Sequence, residues 1–194
     1  MNINIEVLLQ PIDSKSPVGE NIEYDLVYNE IRQARESDPE YLSGGEWSIT
    51  EPRSANWKKV RNLCEQVLRY QSKDFQISCW YVESLSYIYG PEGLAVGLDY
   101  FSECISRFWD LCWPSIDEGP EMRYSKLIKL DKDIARCLNE YPILKRKDIN
   151  LSYWYKVRSF EHNLSINPER RDEIIENEGD YSIKTFEKLT SNIS

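Results

Sequence analysis

The chain has 194 residues, of which 41% are hydrophobic and 12% aromatic, and its formal net charge is −9. This length accommodates one domain of ordinary size, and the 6 Trp and 13 Tyr residues supply enough large side chains for a core. The acidic balance argues against general binding to nucleic acid or to anionic membranes, because both depend on an excess of Lys and Arg.

The cysteine pattern and the apolar segments bear on the compartment of the protein. The chain contains no C-x-x-C pair and has 1 histidine, so a Cys/His zinc site of the usual spacing is absent. Apolar neighbours predict buried free thiols in a reducing compartment for Cys64, Cys79, Cys104, Cys112 and Cys137. No signal peptide is visible, and no window approaches the roughly 20 apolar residues that cross a bilayer. We expect a cytoplasmic protein with no metal, no cofactor and no direct membrane insertion.

The N-terminal part is predicted to be mostly loop. Residues 1–9 form a short arm or a first helical turn, and residues 11–21 form a loop punctuated by Pro and Gly. A helix is predicted over 24–37, followed by a long loop over 38–56. Long loops that hold a large aromatic residue are often pinned to the body or used for binding, so Trp47 is a candidate for a partner surface.

The next helices carry the clearest periodicity. Apolar residues recur at helical spacing on one face after residue 56: Trp57, Val60, Leu63, Cys64, Val67 and Leu68. Ser72 is the predicted N-cap of a second helix over 73–89, which is apolar nearly all round and is therefore expected to be central. Gly90-Pro91 ends this helix and begins a third, since proline suits the first helical turn.

The third helix is predicted to run to an aromatic end. Its apolar stripe includes Phe108, and Trp109 and Trp113 are interpreted as packing residues beside it, with a partner surface as the alternative. The residue before Pro114 is pushed out of the helical region, so we expect the helix to end there. A fourth helix is predicted over 121–139, and the very short links between the preceding helices favour antiparallel neighbours.

After residue 142 the pattern changes. A helix or strand-like piece is predicted over 151–164, a charged helix over 168–178 and a short helix over 182–189. Nothing indicates a run of alternating strands. The predicted fold class is therefore all-α, an antiparallel helical bundle of roughly six to eight helices with a long N-terminal loop region.

No constellation in the sequence specifies catalysis. The single histidine, His162, lies in a polar stretch and is interpreted as a solvated surface residue, and no GxSxG elbow or phosphate-binding glycine loop is present. The acidic segment with Asp117, Glu118 and Glu121 lacks the ligand spacing of a calcium loop. Its carboxylates either stabilise a helix start near the positive end of the dipole, or form a docking surface, or act as the acid–base pair of a helical hydrolase or lyase.

Short motifs occur in a fixed order over residues 5–140. They are Leu8-Leu9-Gln10-Pro11-Ile12, Pro17-Val18-Gly19-Glu20-Asn21-Ile22-Glu23-Tyr24-Asp25, Gly45-Glu46-Trp47, Asn56-Trp57-Lys58-Lys59-Val60, Ser72-Lys73-Asp74-Phe75-Gln76-Ile77-Ser78-Cys79-Trp80, Gly93-Leu94-Ala95-Val96-Gly97-Leu98, Arg107-Phe108-Trp109-Asp110, Pro114 and Glu121-Met122-Arg123. Together they resemble the ImpA-related N-terminal domain, which is found in TssA-type subunits of bacterial type VI secretion systems. Asn21 and Asn56 stand where the family usually has an acid, and Asn56 can still cap a helix.

The resemblance implies a helical domain over residues 1–142 and a helical extension over 143–194, which packs on that domain or leads to a further C-terminal region. It implies a structural role for a set that we call the framework residues: Pro17, Gly19, Glu20, Trp57, Asp74, Trp80, Phe108, Trp109, Pro114 and Arg123.

The function implied by the resemblance is that of a non-enzymatic assembly subunit. It docks baseplate, tube or sheath proteins of the contractile tail and self-associates through a C-terminal region beyond this chain. The candidate partner surface is Trp47 with Asp117, Glu118 and Glu121. The alternative is the helical hydrolase or lyase that uses these three carboxylates.

Overall fold

The computed structural model of the chain describes residues 3–37, 54–143 and 149–191. Within these ranges it has seven α-helices and no β-strand, so the predicted all-α class is confirmed. The helices are α1 (Leu26–Arg35), α2 (Trp57–Tyr70), α3 (Phe75–Phe108), α4 (Pro120–Glu140), α5 (Leu151–Ile166), α6 (Arg171–Glu178) and α7 (Ile183–Ser191). None of these described helices is both long and apolar enough to cross a membrane.

The chain divides into two compact units between Ala135 and Arg136, within α4. The first unit holds the main core, to which α2 contributes the fully buried Val60, Cys64 and Val67 of its predicted apolar face. The domain boundary that we expected after residue 142 stays a prediction.

Antiparallel pairing organises the first unit. The backbone N–H of Asn56 donates to the carbonyl of Ala34 at 2.8 Å, and Lys59 pairs with Glu30 at 2.6 Å, so α1 and α2 run in opposite directions. All five cysteines of the chain are buried and free, as their apolar neighbours predicted.

A break at Gly90 divides α3 into two arms, 75–89 and 91–108. Gly90 has φ +64° and ψ −144°, a conformation that residues with a Cβ rarely adopt. The arms fold back on each other: the Phe75 and Phe101 rings lie 5.3 Å apart, and the hydroxyls of Ser78 and Tyr100 are 3.1 Å apart. The predicted break at Gly90-Pro91 and the antiparallel hairpin are confirmed.

Both predicted ends of α3 are wrong by a few residues. Its N-cap is Asp74, whose Oδ1 accepts from the backbone N–H of Ile77 at 2.9 Å. Ser72 does not cap the helix, because its hydroxyl donates to the carbonyl of Glu20 at 2.6 Å. The helix ends at Phe108 and not at Trp113. The backbone after Phe108 forms turn and loop hydrogen bonds in place of helical ones.

The second unit is small and aromatic. Asn150 caps α5 by accepting from the backbone N–H of Tyr153 at 2.9 Å, and the segment that could have been helix or strand is a helix. Trp154 on α5 packs against Phe186 on α7, with ring centroids 5.1 Å apart. Glu161 accepts a hydrogen bond of 2.8 Å from the first backbone N–H of α7.

Candidate functional site

Three irregular segments meet in the first unit, and we call their meeting point the junction: residues 17–20, 71–74 and 109–114. Backbone hydrogen bonds join the first two, since the N–H of Lys73 donates to the carbonyl of Val18 at 2.7 Å. The N–H of Trp113 donates to the carbonyl of Lys73 at 3.3 Å and joins the third segment to the second, and the N–H of Phe75, just after the second segment, donates to the carbonyl of Trp113 at 2.7 Å. Buried loop backbone is stable only when its polar groups are paired, and here the segments pair with one another.

Gly19 lets the first two segments approach closely. Its φ is +69°, and a Cβ placed on it would lie 1.9 Å from the carbonyl oxygen of Gln71. Its own carbonyl accepts from the indole Nε1 of Trp113 at 3.1 Å. Trp113 is therefore a packing residue, as interpreted from the sequence, but it lies in a loop and ties that loop to the N-terminal segment.

Arg123, from α4, holds the third segment in place. Its side chain is completely buried, and its guanidinium lies 4.7 Å from the Trp109 ring centroid. It donates to the carbonyls of Trp109, of Cys112 at 2.7 Å and of Pro114 at 2.7 and 3.0 Å. Because a guanidinium carries five N–H donors in a fixed plane, one side chain satisfies three loop carbonyls at once.

Lys73 is a second buried cation, and sequence reasoning missed it by placing it in a helix. Its Nζ donates to the carbonyl of Leu8 at 2.6 Å and to the carbonyl of Leu68, and lies 5.5 Å from the Phe108 ring centroid. Burial lowers the pKa of Lys73 to about 8, because removal from water disfavours the charged amine. Lys73 thereby fastens the N-terminal arm to the end of α2.

Asp74 completes the polar part of the junction. Burial raises the pKa of its carboxyl to about 6, and the backbone N–H of Ile77 and the charge of Lys126 oppose that shift. With a pKa of about 6, the Asp74 carboxyl changes charge in the mildly acidic range.

A separate ion cluster lies where α1, α3 and α4 meet. The guanidinium of Arg35 donates from Nε to Glu83 Oε2 at 2.8 Å, lies 3.5 Å from Asp133 and stands 5.0 Å over the Trp80 ring. Glu83 is 2% exposed, and its Oε1 has no hydrogen-bond partner among the residues that the structure describes. Burial raises the pKa of Glu83 and the charge of Arg35 opposes the shift.

The remaining framework residues either pack against other side chains or contribute backbone hydrogen bonds. Trp57 stacks on Tyr87, with ring centroids 4.1 Å apart, and Phe108 is buried beneath Lys73. The carbonyl of Pro17 accepts from the N–H of Ile12 at 2.9 Å. Glu20 takes part in the junction through its backbone alone, and its side chain is exposed.

The proposed partner surface is described only in part. Trp47 lies outside the described residues, as does the side chain of Glu118. Asp117 is exposed on a short 3₁₀ turn, and Glu121 is exposed in the first turn of α4, where the helix dipole favours an acid. The acid–base pair of a hydrolase requires carboxylates that converge in an enclosed site, whereas the Asp117 and Glu121 side chains lie in solvent.

Other candidate chemistry is equally sparse. His162 is exposed, as interpreted from its polar neighbours. In the part of the chain that the structure describes, no three His, Cys, Asp or Glu side chains are placed to hold a metal ion.

Known proteins resemble this chain in both sequence and structure. A family model described as "ImpA, N-terminal, type VI secretion system" matches residues 9–132. The type VI secretion system component TssA1 of Pseudomonas aeruginosa PAO1 is 30% identical over 115 residues, which are 59% of this chain and 33% of that protein. The chain thus spans about a third of the length of that curated relative.

A solved structure covers more of the chain. It is the N-terminal domain, including the conserved ImpA_N region, of the TssA component of the type VI secretion system from Burkholderia cenocepacia. The TM-score is 0.78 at 25% sequence identity, over 100% of this chain and 73% of that chain.

Proposed function

Because this chain belongs to the ImpA N-terminal family of the type VI secretion system, we propose that it is a non-enzymatic assembly module. In this proposal it works in the cytoplasm and docks baseplate, tube or sheath proteins while the contractile tail is built. Its self-association is supplied by a C-terminal region beyond this chain.

The observation that carries the proposal is how the polar framework residues are used. Arg123 donates to three backbone carbonyls, and Asp74 accepts a backbone N–H at the start of α3. Groups held in this way stabilise one backbone arrangement and present no free acid, base or nucleophile to a substrate. A scaffold of this kind acts through its surface.

The role in assembly can be tested in the bacterium that carries this gene. Deleting the gene and counting fluorescently labelled contractile sheaths is expected to show loss of sheaths or incomplete ones, and the wild-type gene is expected to restore them. The matched control is the gene with Arg158→Met, an exposed change on α5, which is expected to complement fully. Normal sheath number and length in the deletion strain would contradict the proposal.

A further inference from the structure

An open groove lies on the outer side of the junction. Its volume is about 480 Å³, and it is formed by the N-terminal loop and the end of α2. We call it the acidic groove, and its lining residues are Ile12, Asp13, Ser16, Gly19, Glu20, Ile22, Asp25, Tyr70 and Gln71. Three of these, Gly19, Glu20 and Gln71, also belong to the junction, so a hydrogen-bonded backbone supports the groove.

The charge of the groove is of one sign. Asp13, Glu20 and Asp25 line it, and its described lining contains no Lys or Arg. Asp25 stands at the N-cap of α1, yet its side chain makes no capping hydrogen bond. The side chain of Glu20 is exposed, while its backbone serves the junction. The carboxylates of Glu20 and Asp25 are therefore open to a cation from outside, whereas Asp13 Oδ1 accepts the backbone N–H of Lys15 at 2.8 Å.

The apolar surface at the groove is unusually open. Tyr70 lines the groove and is 63% exposed. Tyr24 and Leu26, on either side of the lining residue Asp25, are 90% and 89% exposed. The fold gains little from side chains that stay in water, and exposed apolar side chains near charged ones are typical of protein-binding surfaces.

We propose that the acidic groove binds a basic amphipathic segment of a partner protein. A Lys or Arg of that segment enters between Glu20 and Asp25, and neighbouring apolar residues cover Tyr24 and Leu26. Charge complementarity selects this occupant: a second copy of the chain, which carries a net charge of −9, is repelled, as are nucleic acid and anionic lipid. Naming the partner as a secretion-system component rests on the proposed function, whereas the chemistry of the groove does not.

Two synthetic peptides of equal length test the chemistry of the groove. One alternates Arg with Leu and the other alternates Glu with Leu, and each is titrated into the ¹⁵N-labelled chain. We expect the basic peptide alone to shift amide resonances of Glu20, Ile22, Asp25 and Gln71, with an effect that weakens as salt shortens the range of the attraction. Shifts spread evenly over acidic surfaces elsewhere, or no shifts at all, would overturn the proposal.

Charge reversal localises the binding. The double variant Glu20→Lys with Asp25→Lys is expected to bind the basic peptide at least about tenfold more weakly. The matched control is Glu92→Lys with Asp99→Lys, two exposed acids on the second arm of α3, which changes the net charge equally. Equal weakening in both double variants would show that only the overall charge matters and would refute the groove.

Truncation of the apolar flank tests the amphipathic half of the proposal. Leu26→Ser is expected to lower the affinity for the basic peptide several-fold, because less apolar surface is buried when the peptide binds. Leu98→Ser, at an exposed leucine of α3, is the matched control and is expected to leave the affinity unchanged. Equal affinity of the two variants would contradict a role for the flank.

The groove as a docking site and the proposed function can be refuted separately. A secretion-system protein that binds the wild-type chain and the Glu20→Lys, Asp25→Lys variant equally well would overturn the groove as its docking site and leave the proposed function standing. If no such protein binds the chain, the proposed function fails, and the peptide titrations alone decide about the groove.

Discussion

Among single residues, two buried cations hold irregular segments of the first unit in place. Lys73 and Arg123 are both fully buried; Lys73 donates to the carbonyl of Leu8, 65 residues away, and Arg123 donates to carbonyls of the loop before α4, 9 to 14 residues away. Long-range contacts of this kind have no periodic signature, which is why the sequence predicted Lys73 only as a helical residue. Arg123 was singled out through the family resemblance, and its acceptors became visible only in the fold.

Replacing Arg123 by Met should destabilise the first unit by about 3 kcal/mol or more, because buried carbonyls that lose their donor cost about 1–3 kcal/mol each. Urea denaturation followed by tryptophan fluorescence measures the effect. Arg158→Met, at an exposed position of α5, is the control and should change stability little. Equal stability of both variants would mean that Arg123 does not hold the loop.

The raised pKa of Asp74 predicts a pH effect. The folded carboxyl titrates at about 6, and an unfolded one at about 3.9, so between these values the folded state holds a proton that the unfolded state has lost. The free energy of unfolding contributed by this group therefore falls as pH rises through the window, by about 3 kcal/mol in total.

Asp74→Asn isolates that contribution, because Asn retains an acceptor for the N-cap but does not titrate. Denaturation curves for wild type and variant between about pH 4 and 6 should converge at the acid end and separate as pH rises, with the variant more stable. A difference between the two proteins that stays constant with pH would show that the Asp74 pKa is unshifted.

At the scale of elements, the sequence predicted helices better than it predicted their ends. The apolar faces of α2 and α3 and the break at Gly90 follow from local periodicity and from glycine and proline chemistry. The N-cap assigned to Ser72 and the end assigned to Trp113 failed, because tertiary hydrogen bonds to the hydroxyl of Ser72 and at the end of α3 decided these positions. Local signals cannot register partners that are distant in sequence.

The hairpin of α3 depends on Gly90. Gly90→Ala should destabilise the chain by about 1–3 kcal/mol, because alanine is strained at positive φ. Thermal unfolding followed by circular dichroism at 222 nm measures the shift. Glu92→Ala, an exposed change two residues later, serves as the control and should be nearly neutral. Equal melting temperatures would indicate that the turn tolerates a side chain.

For the molecule as a whole, the acidic charge and the open groove are the surface features on which the proposed docking depends. From composition we expect no binding to nucleic acid or to anionic membranes, which stays a prediction, and the family resemblance identified the secretion system. The groove itself could not be predicted, because Asp25 and Tyr70 are far apart in sequence and only the tertiary fold brings their segments together.

Sedimentation measures the oligomeric state of the chain. We expect a monomer of 22.9 kDa at concentrations up to about 100 μM, since a net charge of −9 disfavours self-association and the resemblance assigns oligomerisation to a C-terminal region. The expected result is a single species whose mass does not rise with concentration. A stable dimer or larger ring formed by this chain would contradict that assignment.

The proposed function requires that the chain docks other proteins of the secretion system, and this docking can be measured as binding between purified components. The chain is titrated by calorimetry against the baseplate, tube and sheath proteins of its own bacterium, one at a time. We predict that at least one binds with a Kd of about 10 μM or tighter, and that Glu20→Lys with Asp25→Lys weakens it at least about tenfold while Glu92→Lys with Asp99→Lys does not. Absence of binding to every component by the folded chain would contradict the account.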